Sequence, residues 1–127
     1  MDKRLEVKGY KIPKITMDFE KVANGKQRIN TTTTINIVIP KDETDRNCVV
    51  VVNADFKNEN KETVLSVVIR GHVELLDTLL SAEEKEKFIK KEAVPEVYEV
   101  LREFIDNLLD KAQISFVNIL PYEDFNI

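Results

Sequence analysis

The period of the hydrophobic pattern changes once along this chain, near Ser81, and that change fixes the class of fold. Before it, apolar residues recur at every second position; after it, they recur every three or four. The first spacing belongs to strands with one buried face and the second to an amphipathic helix. A run of strands followed by helix is the signature of an α+β domain.

The strand region divides at its turn signals. From Tyr10 to Phe19 apolar residues alternate, with a phase change at Pro13: Tyr10 and Ile12 lie in one phase, and Ile15, Met17 and Phe19 in the other. A proline there predicts a bulge or an edge strand. Asn24-Gly25 marks a turn. Over 29–39 the alternation is strict, with Ile29, Ile35, Ile37 and Ile39 on one face, although Thr31 to Thr34 make its middle polar on both faces. Strands are also expected over 48–56 and 63–76. In the last of these, Leu65, Val67, Ile69, Val73 and Leu75 share a face with Gly71, where a glycine implies a bulge or a close approach by another segment. Short polar connections predict a four-stranded antiparallel meander.

Ser81-Ala82-Glu83-Glu84 reads as a capping box opening a short polar helix to about Lys91. Pro95 suits the first turn of a second, longer helix. Val97, Leu101, Phe104, Ile105, Leu108 and Ala112 are spaced as its buried face, with Glu96, Glu99, Arg102, Glu103, Asp106 and Asp110 on the wet side. An extended apolar tail then runs through Ile114, Phe116, Val117, Ile119, Leu120, Tyr122, Phe125 and Ile127.

Composition narrows the function classes. The length of 127 residues suits one domain over 1–127, with 43% hydrophobic and 33% charged residues. A net charge of −4 argues against a nucleic-acid partner. The single cysteine, Cys48, fits a reducing compartment, and the start carries no secretory signal; the longest apolar run is too short to span a bilayer. A cytoplasmic protein without membrane insertion is expected.

Chemistry is hard to find. The lone His72 points away from the buried face of its strand and has no partner at catalytic or metal spacing. Cys48 reads as a small buried hydrophobe. Glu83, Glu84 and Glu86 read as a solvated helix start, and Lys87, Lys90 and Lys91 as a wet helix face. With only Gly9, Gly25 and Gly71, the chain holds no glycine-rich phosphate loop. The expectation is a protein that is not an enzyme, with no cofactor and no metal site. What remains is apolar surface beyond what one sheet face and one helix need. It either completes the core or an oligomer interface, or forms a groove for extended apolar segments.

Three stretches carry a family resemblance. Val67-Val68-Ile69-Arg70-Gly71-His72-Val73-Glu74-Leu75 resembles the fourth strand of the SecB export-chaperone family. The stretch that opens Pro95-Glu96-Val97-Tyr98 resembles the start of its main helix, and Val117-Asn118-Ile119-Leu120-Pro121-Tyr122-Glu123-Asp124-Phe125 its lid loop. Ile15-Thr16-Met17 is a weaker match in the first strand. The resemblance spans nearly the whole chain and has no catalytic motif. It implies a homotetramer built as a dimer of dimers, and the expectation for this chain is a homo-oligomer, dimer or tetramer. It also implies ATP-independent holding of unfolded client chains in apolar grooves, related to preprotein export. Carried over, the peptide-binding residues are Tyr10, Ile12, Ile15, Met17, Val97, Leu101, Tyr122 and Phe125.

Three departures qualify what the resemblance implies. The chain stops at Ile127, without the family's second helix. The helix-to-lid junction lacks the usual Gly-Thr turn. The acidic outer sheet face offered to the SecA motor is only partly matched: Asp18 fits, but Lys14 and Ser66 stand where acids are expected. SecA therefore stays open as a partner. The alternatives are a chaperone dedicated to one client, such as the antitoxin of a toxin–antitoxin pair, or an adaptor domain for one folded partner. A small-ligand domain is a further reading, which the absence of an acid–base pair disfavours.

Overall fold

The alternating segments form four strands in the computed structural model, which describes residues 5–18, 20, 29–42, 45–76 and 81–112. These are β1 (Leu5–Met17), β2 (Asn30–Val38), β3 (Asn47–Lys57) and β4 (Thr63–Leu75). They make one antiparallel sheet in the order β1-β4-β3-β2. The antiparallel four-stranded sheet is as expected, but the simple meander is corrected: β2, β3 and β4 follow one another, while β1 lies beside β4.

The sequence explains this order once burial is considered. Cys48, Val50, Val52, Ala54 and Phe56 of β3 are buried, as are Leu65, Val67, Ile69, Val73 and Leu75 of β4. These two strands fill the centre. β1 contains Pro13, which cannot donate to a ladder, and β2 contains the polar stretch Thr31 to Thr34; both suit edges.

The phase change at Pro13 is a bulge. Lys11 pairs with Arg70 but Lys14 pairs with Val68, so Ile12 and Pro13 together oppose one position of β4. The extra residue brings both apolar sets to one face: Tyr10 opposes Gly71, Ile15 opposes Val67, and Met17 opposes Leu65. A second register step falls between Val7 and Gly9.

Helices cover this face. α1 (Ala82–Phe88) starts on the expected capping box: Ser81 Oγ accepts from the Glu84 N–H at 3.2 Å, and the Ser81 N–H donates to Glu84 Oε1 at 3.3 Å. A π-helical turn, Ile89–Ala93, joins it to α2 (Val94–Lys111). The Val94 N–H reaches back to the Ile89 carbonyl. This wide turn directly precedes Pro95, whose ring would otherwise press on the carbonyl four residues earlier. The two expected helices are thus joined by a turn of helix rather than a break.

The buried face of α2 is Val94, Val97, Tyr98, Leu101, Ile105 and Leu109. Phe104 and Leu108, expected there, are half-buried on its flank with Val100, and Ala112 is exposed. The helix is rolled so that Val97, Leu101 and Ile105 lie at the centre of the contact. The opposite face of the sheet carries no helix among the described residues.

Candidate peptide-binding face

β1 is an edge strand of 13 residues whose far side pairs with no strand of the described sheet. Its helix-side face continues past the part that the helices cover. Tyr10 is 38% exposed, Ile15 43% and Met17 54%, while Ile12 is half-buried against the core. The four side chains make one apolar strip along an open strand edge. Such an edge offers main-chain hydrogen bonds to an extended segment, and the strip offers side-chain contacts at alternate positions.

Tyr10 sits where the strip meets α2. Burial, and then the neighbouring Glu96 carboxylate, push its hydroxyl above the usual tyrosine range. It is therefore a neutral donor next to an acceptor at the upper end of the strip. At the other end the Asp18 N–H donates to the Val64 carbonyl at 2.9 Å, which holds β1 against β4 to its last residue.

The structure brings Tyr10, Ile12, Ile15 and Met17 together as one surface. It puts Val97 and Leu101 elsewhere: both are fully buried between α2 and the sheet, so in this chain they anchor the helix and are not open to a client. Tyr122 and Phe125 lie outside the described residues, as does the rest of the lid-like tail. Val100, which the helical spacing did not single out, joins Phe104 and Leu108 on a half-buried flank of α2.

Among the described residues no histidine or cysteine stands beside the strip. His72 lies on the opposite sheet face, 2.9 Å from Asn47 Oδ1. Cys48 is buried, and that burial pushes its thiol up although Lys85 acts against it. Among the described residues no cluster of His, Cys, Asp or Glu could hold a metal ion, and no helix is long and apolar enough to cross a membrane.

No protein-family model and no curated protein matches the chain. Solved structures do. A SecB-like chaperone of Mycobacterium tuberculosis, Rv1957, in complex with a ChAD peptide from the Rv1956 HigA1 antitoxin, superposes with a TM-score of 0.68 at 11% identity. The match covers 92% of this chain and 90% of that one. A protein of unknown function from Streptococcus agalactiae matches with a TM-score of 0.43 at 15% identity, over 91% of this chain and 96% of that one. The first likeness shows the fold: this α+β chain, a four-stranded antiparallel sheet with its C-terminal helix layer, has the architecture of a SecB-like chaperone.

Proposed function

We propose that this protein is an ATP-independent chaperone that holds extended or unfolded polypeptide segments on the strip along β1. The observation that carries this reading is the exposure of Tyr10, Ile15 and Met17 side by side on an open strand edge. Fully burying a large apolar side chain is worth about 1.5–3 kcal/mol, and each of these, already about half covered, has part of that left to gain, so the strip favours an apolar segment over water. The shared fold with a chaperone supports the same reading. In it the protein acts as a single domain, in the cytoplasm, as a homo-oligomer, with Tyr122 and Phe125 as further peptide-binding residues. Val97 and Leu101 contribute by holding α2 in place.

A client-dedicated role is favoured over general export. On the outer sheet face Lys14 and Ser66 stand where the resemblance expects the acids it associates with SecA, and Lys11 and Arg70 add further positive charge there. The similar Rv1957 structure holds an antitoxin peptide. An antitoxin-like segment is the client class this favours.

The test is light scattering from a chemically unfolded reporter protein diluted with and without this protein, in the absence of nucleotide. Suppression at near-stoichiometric ratio is expected, with loss of suppression in Ile15→Ser/Met17→Ser and in Tyr122→Ala/Phe125→Ala at unchanged circular dichroism. If both double variants leave suppression intact, the strip and the tail are not the client site. Mass at micromolar concentration checks the oligomer; a strict monomer counts against it.

A further inference from the structure

The face of the sheet turned away from the helices holds an arrangement that client holding does not use. Lys11 of β1 stands directly opposite Arg70 of β4, on that face. Like charges at opposed positions of a sheet oppose folding. Both side chains are exposed, and neither makes an ion pair among the described residues. Lys14 follows on the same strand, opposite Val68. Lys8, by contrast, is neutralised by Glu6 at 3.1 Å and Glu74 at 3.8 Å.

Beside this pair is a depression of about 340 Å³, lined by Lys8, Gly9, Tyr10, Lys11, Val49, Arg70 and His72. Residue 9, within its lining, has no side chain to fill it. Gly9 opposes His72 on the outer face, and a Cβ there would meet nothing within 4 Å. Nothing in the packing requires a glycine, so a larger residue would fold equally well and fill the space. Val49 gives the depression an apolar floor, and the basic side chains give it a charged wall.

We infer that this outer face is a docking surface for an acidic polypeptide segment of a partner protein. Carboxylates of the partner would seat between Lys11 and Arg70, and an adjacent apolar side chain would enter the depression over Val49. Charge complementarity selects the occupant, because a carboxylate relieves the Lys11–Arg70 repulsion and Arg presents a fork suited to it. A nucleic acid fits less well: the cationic cluster is small and the chain is net acidic at −4. The Lys11–Arg70 pair faces away from the side of the sheet that carries Ile15 and Met17, and the assignment stands whether or not the strip holds clients.

The test is fluorescence anisotropy with a labelled ten-residue peptide of alternating Glu and Leu, beside the same peptide with Gln for Glu and a twelve-nucleotide thymidine strand. Wild-type protein is expected to bind the Glu peptide at least ten times more tightly than the Gln peptide, with an affinity that falls as salt rises. Lys11→Gln/Arg70→Gln should lose about tenfold in affinity while melting at a higher temperature, because the repulsion is gone. Gly9→Val should lose a similar factor with unchanged melting. Ile15→Ser/Met17→Ser should bind the Glu peptide like wild type, which separates this surface from the client strip. Equal binding of the two peptides, wild-type binding by the double variant, or tighter binding of the nucleotide strand would overturn the assignment.

Discussion

Gly71 of β4 lies directly beneath Val97 of α2, so closely that a Cβ at residue 71 would overlap the Val97 side chain; it would also lie 3.5 Å from the Val97 Cβ. Both residues are buried. The glycine here serves close approach between helix and sheet and not a turn. Val97 cannot yield by rotating into solvent, because it is 0% exposed and β-branched. Gly71→Ala should therefore destabilise by about 1–3 kcal/mol, the usual cost of overpacking. Val97→Ala in that background should recover part of the loss. Urea unfolding of the two single variants and the double variant gives the coupling; additive losses would show that the contact is not the cause.

That contact also shows what was readable in advance. A glycine in phase with Leu65, Val67 and Ile69 signals close approach, and Pro13 signals a bulge, because each follows from local stereochemistry. The period of 2 likewise placed the buried side of β4. Strand order was not readable, since periodicity says which face is buried and not which strand is the neighbour. The rotation of α2 was missed for a related reason: Phe104 and Leu108 satisfy the helical period, but the Gly71 contact fixes the roll of the helix and moves them to the flank. Val97 and Leu101, carried over as peptide-binding, are buried for the same reason. The Lys11–Arg70 opposition depends on a register that two bulges set, so no local pattern announces it.

The capping box at Ser81 gives a second prediction. Its hydroxyl accepts from the Glu84 N–H at 3.2 Å, and its own N–H donates to Glu84. Ser81→Ala removes the first bond and loosens the second. A loss of about 1 kcal/mol is expected, read as a lower urea midpoint with an unchanged slope. A neutral result would mean that α1 is held by its packing alone.

Surface strips that serve binding should be poor in folding energy. Ile15 and Met17 are 43% and 54% exposed on an edge strand. Replacing either by Ser should change stability by no more than about 0.5 kcal/mol, as for surface sites generally, while lowering reporter-protein protection in proportion to the area lost. Large destabilisation in urea would instead mark the strip as part of the core or of an oligomer interface.

Tyr98 makes stability depend on alkaline pH with a defined sign. It is 1% exposed within the core, and burial, the largest cause, pushes its hydroxyl up to about 12 from the ordinary tyrosine value of 10.0. Arg102 acts in the opposite direction, and Glu99 and Asp106 add to the rise. The folded protein therefore keeps a proton that the unfolded chain releases. The resulting stability is fully present below pH 10 and is lost as pH rises through about 12. Two pH units correspond to about 2–3 kcal/mol at the upper limit. Tyr98→Phe cannot ionise, so its urea midpoint should fall less steeply between pH 10 and 12 than that of the wild type, even if the variant is weaker at pH 7 for lack of the hydroxyl. Parallel slopes for the two proteins across that window would show that Tyr98 ionises as freely in the folded state as in the unfolded chain.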